Sequence, residues 1–277
     1  MTTKVPVIVF TDLDGTLLNA RDYRYDAAIP TLERLKRLQI PVIPVTSKTR
    51  AEVEQLRSAI GLTDPFVVEN GSGIFIPEAD DRFLLVTQQR VDGYRVVQVG
   101  SSYREACDRV AKLGQVLGVP LCGFGDLKPE DVYAITGLTI EDAQRAQARD
   151  FTEPFMVPSH ISSEAITVAA ASLGFRVVVG DRFAHAIDPR SGKGIAVQTL
   201  IDLYQVPRDN LTIISLGNGP NDLEMLELAS QPVIIPTETG KPHPGFTHRN
   251  WPIAHYPGSQ GWATAVDDIL DNLGLTA

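Results

Sequence analysis

The chain has 277 residues, 43% of them hydrophobic, and carries 25 Lys plus Arg against 34 Asp plus Glu, a formal charge of −9. So much apolar residue excludes general disorder, and the lack of any basic run excludes a nucleic-acid partner, while an anionic small substrate would need local cations to approach this surface. The longest segment free of Asp, Glu, Lys and Arg, Asn250 to Val266, is broken by Pro252, Pro257, Gly258 and Gly261, so no membrane span is expected, and Cys107 and Cys122 without histidines at zinc spacing point to a reduced, cytoplasmic setting.

Val5 to Phe10 reads as a buried strand, and its apolar run stops at Asp12, too early for a secretory signal. It leads into Thr11-Asp-Leu-Asp-Gly-Thr16, where alternation puts Asp12 and Asp14 on one side and Gly15 permits a tight turn. Two neighbouring carboxylates repel, so a cation between them is the natural resolution. Ile29, Leu32, Leu35 and Leu38 recur at helical spacing, and Pro41 to Val45 resumes a strand. The end of that strand, Thr46-Ser-Lys48, offers two hydroxyls and an ammonium suited to phosphate oxygens, although such residues also open helices for purely structural reasons. Thr49-Arg-Ala-Glu52 is a capping-box pattern for a helix with Val53, Leu56 and Ile60 on its apolar face and Gly61 as its stop; Phe66 to Val68 follows as a strand. Repeated strand–helix–strand order predicts a parallel sheet.

From Arg82 to Ile187 the pattern changes to a strand at Tyr94 to Val99, a helix at Ser102 to Leu117, two short helices between Pro129 and Arg149, and a hairpin of Phe175 to Val179 and Phe183 to Ile187 about Gly180-Asp181. Ser191-Gly-Lys-Gly194 then opens a helix running to Tyr204, where Lys193 could neutralise phosphate or simply be solvated. The strand Leu211 to Leu216 ends in Gly217-Asn-Gly-Pro-Asn-Asp222, whose Asn218, Asn221 and Asp222 carry oxygens suited to Mg²⁺, or form a plain turn. A helix from Asn221 to Leu228 and a strand from Val233 to Ile235 restore the first pattern. The expected fold is α/β: a doubly wound, Rossmann-like core made of residues 1–81 and 188–277, with a smaller α+β cap inserted at 82–187. Trp251 and Trp262 lie outside the cap and read as packing residues.

Taken in order, the four polar strand ends resemble the motif set of the haloacid dehalogenase superfamily of phosphohydrolases. That resemblance implies an aspartyl-phosphate phosphatase with Asp12 as nucleophile, Asp14 as general acid and base, Thr46 as phosphate-holding hydroxyl and Lys193 as charge-neutralising lysine. It also implies a Mg²⁺ ion held by Asp12, by the Asp14 carbonyl and by the Asn218 to Asp222 loop. The superfamily usually has Asp where this chain has Asn218, so weaker metal affinity or a shift of ligation to Asp222 is expected. More narrowly, Thr11 to Leu18, Val45-Thr-Ser-Lys-Thr49, Val68-Glu-Asn-Gly71, Gly123-Phe-Gly-Asp126 through Phe155, Gly180-Asp-Arg-Phe183 and Asp188 to Ala196 resemble the mannosyl-3-phosphoglycerate phosphatase family. The implied substrate is a small phosphorylated sugar-glycerate, mannosyl or glucosyl, bound through Ser47, Lys48 and Asn70 of the core and Arg104, Glu153, Arg182 and His185 of the cap, with the last two and Arg104 as candidate cations for the glycerate carboxylate. Hydrolysis would yield mannosylglycerate, a compatible solute. Intact Asp12 and Asp14 disfavour a catalytically dead phosphosugar-binding regulator.

Overall fold

A computed structural model of the protein describes residues 6–84, 89–179 and 183–276. The first part of the chain forms β1 (Val7–Thr11), α1 (Ile29–Arg37), β2 (Val42–Pro44), α2 (Arg50–Ile60), β3 (Phe66–Val68), β4 (Gly73–Pro77), β5 (Arg90–Val91) and β6 (Tyr94–Gln98). Next come α3 (Tyr103–Leu117), α4 (Pro129–Thr136), α5 (Ile140–Gln147), β7 (Glu153–Phe155), α6 (Ser163–Ser172), β8 (Arg176–Val179) and β9 (Ala184–Ile187). The last part supplies α7 (Lys193–Leu203), β10 (Thr212–Gly217), α8 (Leu223–Glu227), β11 (Gln231–Ile234) and α9 (Gly258–Asn272).

The core is a parallel sheet in the order β11-β10-β1-β2. β1 is buried at every position because helices cover both faces, which is why its sequence is continuously apolar and not alternating. The register sets the function: Thr11 pairs with Leu216 on one side and Pro44 on the other, so Asp12, the residues after Pro44 and the loop after Gly217 all emerge at the same sheet edge. α2 begins with the expected capping box, in which the Glu52 N–H donates to Thr49 Oγ1 at 3.2 Å and the Thr49 N–H to Glu52 Oε2 at 2.9 Å, and it ends at Gly61 with φ of 77°.

Two strands sit differently from the sequence expectation. Tyr94 to Gln98, assigned above to the insert, pairs antiparallel with β4 from Pro77↔Tyr94 to Gly73↔Gln98. β4 itself was not foreseen, because Gly71-Ser-Gly73 reads as a turn and the run that follows is short. Together β3, β4, β6 and β5 make an antiparallel sheet, joined to the parallel one by a Val45–Val67 bridge.

The inserted unit is a sheet in the order β7-β9-β8 with α3 and α6 packed on it around Val110, Leu113, Phe155, Ile166 and Phe175. α6 escaped the sequence reading because its Ala-rich stretch lacks a polar face, and β7 because Pro154 argues against a strand. The Gly180-Asp181 turn lies outside the described residues. The two chain crossings between core and insert are tied at Asp188, whose carboxylate accepts from the Ser101 hydroxyl at 2.7 Å and from Arg190 Nε at 2.9 Å. Arg190 first, with Ser101 and Arg109, holds that carboxyl well below the usual range.

Trp262 on α9 is wholly buried and its indole N–H donates to Thr11 Oγ1 at 2.9 Å, which fixes the end of β1 beside Asp12. Among the described residues no helix is long and apolar enough to cross a membrane.

Candidate active site

Asp12 is the first residue beyond β1, and its N–H bonds the Leu216 carbonyl at 3.0 Å. Its Oδ1 lies 2.6 Å from Lys193 Nζ, and among the described residues its Oδ2 accepts only the Thr16 hydroxyl, at 3.2 Å. Lys193, the first residue of α7, is 2% exposed and gives a second bond of 2.6 Å to Asp222 Oδ1. Burial pushes the Asp12 carboxyl up to about 7, with Lys193 pulling it back and Asp222 adding to the rise. Burial also works against the charge on Lys193, but the two carboxylates outweigh it and hold the ammonium above the ordinary lysine range.

Asp14 is partly exposed and faces the cavity. Its Oδ1 lies 3.1 Å from Lys48 Nζ, which also reaches Glu52 Oε1 at 3.4 Å. Burial opposes the charge on Lys48, and Asp14 and Glu52 more than restore it. The repulsion expected between Asp12 and Asp14 is thus relieved by two lysines, one on each carboxylate. The Asp14 carbonyl accepts Asn218 Nδ2 at 3.1 Å, across Gly15, whose φ of 75° and lack of Cβ permit the approach: a Cβ there would lie 2.3 Å from Asn218 Nδ2.

These groups open into a cavity of about 1590 Å³ whose wall includes Asp12, Asp14, Ser47, Lys48, Asn70 and Lys193 from the core and Phe124, Arg149, Arg176, Phe183 and His185 from the insert. Thr46 is buried just behind it and accepts the Lys48 N–H at 3.2 Å, leaving its hydroxyl proton to donate. Asn70 sits at φ of 58°, with its Oδ1 accepting from Asn221 Nδ2 at 3.2 Å.

Several expected residues are placed elsewhere. Arg104 is exposed on the first turn of α3 and is absent from the cavity wall, because helical periodicity turns it to solvent. Glu153 is buried and braces the insert instead of facing substrate: its Oε1 accepts the Gly125 N–H at 2.7 Å, and burial raises its carboxyl. Asp222 engages both carboxylate oxygens within the protein: Oδ1 accepts from Lys193 at 2.6 Å, and Oδ2 takes the N–H groups of Asn218 and Gly219, both at 2.9 Å. It shapes the loop and anchors Lys193. His185 does line the cavity, but burial, with Arg149 nearby, pulls it down to about 3, so at neutral pH it is an uncharged imidazole and not a cation. Arg182 lies outside the described residues. The insert's cationic side of the cavity is formed by Arg149 and Arg176, which the sequence reading missed: neither sits in a motif, and only the fold brings them in. Arg176 Nη2 donates to the Ser191 carbonyl at 2.9 Å and Nη1 lies 3.4 Å from Glu224 Oε1, spanning from insert to core.

The donors beside Asp12 fit a hard divalent cation. The Asp12 carboxylate, the Asp14 carbonyl and the Asn218 amide each offer an oxygen; Asn218 now gives its Nδ2 proton to the Asp14 carbonyl at 3.1 Å, so ligation by its oxygen requires the amide to turn over. Only one of the three carries formal charge, which is fewer than such a site with Asp at position 218 would have.

Comparison with known proteins agrees with this geometry. Residues 9–95 match the family described as haloacid dehalogenase-like hydrolase. A glucosyl-3-phosphoglycerate/mannosyl-3-phosphoglycerate phosphatase from Persephonella marina is 36% identical over 271 residues, 96% of this chain and 98% of the relative. A protein of the same description from Methanococcoides burtonii is 34% identical over 264 residues, 95% of this chain and 97% of its own. The fold is shared with a phosphatase of the haloalkanoate (HAD) enzyme superfamily from Bacteroides thetaiotaomicron, at a TM-score of 0.69 and 13% identity, covering 99% of this chain and 97% of that one. A sheet edge that joins a buried Asp–Lys–Asp chain to a partly exposed second Asp, in a chain alike from end to end to these relatives, identifies the protein as a phosphatase belonging to their family within the haloacid dehalogenase-like hydrolases.

Proposed function

We propose that this phosphatase hydrolyses a glycosyl-3-phosphoglycerate, mannosyl or glucosyl, to the glycosylglycerate and phosphate, through an aspartyl-phosphate on Asp12 and with Mg²⁺ as cofactor. The observation that carries the reading is the Asp12 carboxylate, buried and fixed by Lys193 through one oxygen, with its second oxygen held by a single hydroxyl. Asp12 Oδ2 attacks phosphorus and the bond from phosphorus to the glycerate oxygen breaks, while Asp14 in its acid form gives its proton to the departing alkoxide. Asp14, now a carboxylate, takes a proton from the water that attacks phosphorus in the second half-reaction, which frees phosphate and regenerates Asp12. Lys193, the Thr46 and Ser47 hydroxyls, Lys48 and Asn70 stabilise the phosphoryl oxygens. Mg²⁺ held by Asp12, the Asp14 carbonyl and Asn218 would supply positive charge that favours ionised Asp12 and offsets charge on the transferring group. Arg176 gives the cavity positive charge toward a second anionic group, and the edge-to-face Phe124–Phe183 pair, at 4.7 Å, offers an apolar face for a sugar ring. We place the cap at residues 101–187, because β6 pairs with the core's β4, and the reaction in the cytoplasm, which suits two free cysteines.

The direct test compares phosphate release from mannosyl- and glucosyl-3-phosphoglycerate with that from bare 3-phosphoglycerate. The glycosylated esters should lead in kcat/KM by about ten-fold or more, the worth of one well-filled pocket; equal rates on the bare ester would refute the substrate assignment. Asp14→Asn should lower turnover on every ester by roughly 10² to 10⁴, and near-normal rates would end its acid–base role. Asn218→Asp adds a carboxylate against the Asp14 carbonyl. Its melting temperature should fall without Mg²⁺ and recover with it, and half-saturation should move to roughly ten-fold lower Mg²⁺; unchanged Mg²⁺ dependence would remove position 218 from the metal site.

A further inference from the structure

The phosphate-binding stretch Thr46-Ser-Lys48 is held from behind at three successive carbonyls. Thr46 O accepts the Asn70 N–H at 2.8 Å and Lys48 O the Glu69 N–H at 3.0 Å. Ser47 O, between them, accepts Arg149 Nη2 at 3.1 Å, and Arg149 belongs to the inserted cap. These bonds fix the peptide planes of the stretch and hence the direction in which the Ser47 and Lys48 side chains face. The two core residues doing this, Glu69 and Asn70, both sit in the left-handed region, at φ of 50° and 58°, followed by Gly71 at 87°. Such a run is unfavourable for non-glycine residues and persists only where its surroundings impose it.

The Glu69 side chain shows what imposes it. It is wholly buried, and its carboxylate is saturated by the cap: Oε1 accepts the Asp150 N–H at 2.7 Å, and Oε2 accepts the N–H groups of Phe151 at 3.2 Å and Thr152 at 2.7 Å and the Thr152 hydroxyl at 2.8 Å. Arg149 Nε lies 3.3 Å from the same Oε2, and Arg149 Nη2 bonds Thr152 Oγ1 at 2.8 Å. Residues 149–152 are neither of the two chain crossings at Ser101 and Asp188. They form a further attachment of the cap, made directly to the phosphate-binding stretch.

We propose that Glu69 and Arg149 are positioning residues for phosphoryl transfer: the cap segment 149–152, seated on Glu69, completes the backbone that orients Ser47, Lys48 and Asn70 toward the transferring phosphoryl group. This rests on the phosphatase assignment and adds a coupling between cap and phosphate site that is independent of what the cap reads. Its signature is that even a small phosphate ester with nothing for the cap to grip depends on the link. A contact that only read the sugar would leave such an ester unaffected, and a link that only stabilised the fold would change melting and not binding.

The test uses the full chain with Mg²⁺ and the variants Glu69→Gln, Arg149→Lys and the double variant. Inhibition by inorganic phosphate and kcat/KM for p-nitrophenyl phosphate and for a glycosyl-3-phosphoglycerate are measured well below each melting temperature. Phosphate inhibition should weaken, and kcat/KM should fall for both esters by a similar factor of roughly ten to a hundred, with the double variant no worse than the poorer single one because both break one link. Unchanged phosphate inhibition with only a lowered melting temperature, or a loss confined to the glycosylated ester, would overturn the proposal. Should Glu69→Gln not fold, Thr152→Val removes only the bridging hydroxyl and is held to the same pattern. Failure of the phosphatase assignment would show separately, as a wild-type protein that releases phosphate from no ester.

Discussion

Asp12→Asn is expected to fold and to lose turnover by roughly four orders of magnitude or more, because an amide of the same shape is no nucleophile. The two halves of that expectation come from one environment. Burial pushes the Asp12 carboxyl up to about 7 from an ordinary value of 3.8, so the folded protein disfavours its charge, and that cost is absent below the ordinary value and grows as pH rises toward 7. A neutral amide escapes it, and Lys193 keeps Asp222 as its counter-ion at 2.6 Å. The melting temperature at pH 8 should therefore hold or rise while phosphate release vanishes. A variant that lost activity only because it had unfolded would show as a lowered melting temperature, and one that retained activity would remove Asp12 from the chemistry.

Lys193→Met is expected to do the reverse and damage stability and activity together. Its ammonium bridges the wholly buried Asp222 and the nearly buried Asp12. Without it two carboxylates share a desolvated site, and breaking a buried pair by removing one partner costs about 3–5 kcal/mol. The sign of the pH dependence follows. Asp12, whose folded value is already raised, penalises the fold once it ionises without its counter-ion, so the deficit should be small near pH 4 and increase through neutrality. Denaturant unfolding of wild type and variant at pH 5 and pH 8 measures this directly, and a deficit that shrank with rising pH would contradict the ion-pair description. Turnover should fall by roughly 10² to 10³, the cost of removing one preorganised charge from the phosphoryl oxygens.

The sequence exposed the half of this site that is built at strand ends. Polar residues that interrupt buried apolar runs are conspicuous: Asp12, Asp14, Lys48 and Asn218 follow strands whose register brings them to one sheet edge, and Lys193 opens the helix after β9. What no local pattern conveys is which groups answer them from the far side of the cavity. Arg149 and Arg176 are ordinary arginines until a cap segment folds back over the sheet edge, and Glu69 reads as part of a turn until the N–H groups of Asp150, Phe151 and Thr152 converge on it across more than 80 residues of chain. The rest has the same origin. Glu153 lies inside β7, turned toward Gly125, a place that only the sheet assigns. The Asp222 carboxylate takes the N–H groups of Asn218 and Gly219 as well as Lys193, partners that meet only once the loop has folded. Burial sets the protonation of His185, and burial belongs to the fold.

Covalent capture of the phosphoryl group by Asp12 is the step on which the proposed hydrolysis depends. Rapid mixing of enzyme with a glycosyl-3-phosphoglycerate and Mg²⁺, quenched in acid within one turnover and digested for mass spectrometry, should find one added phosphoryl group on the peptide that contains Asp12, absent from Asp12→Asn and gone at longer times. Full phosphate release from the wild type with no phosphorylated peptide at any time, or with the group on another residue, would contradict it.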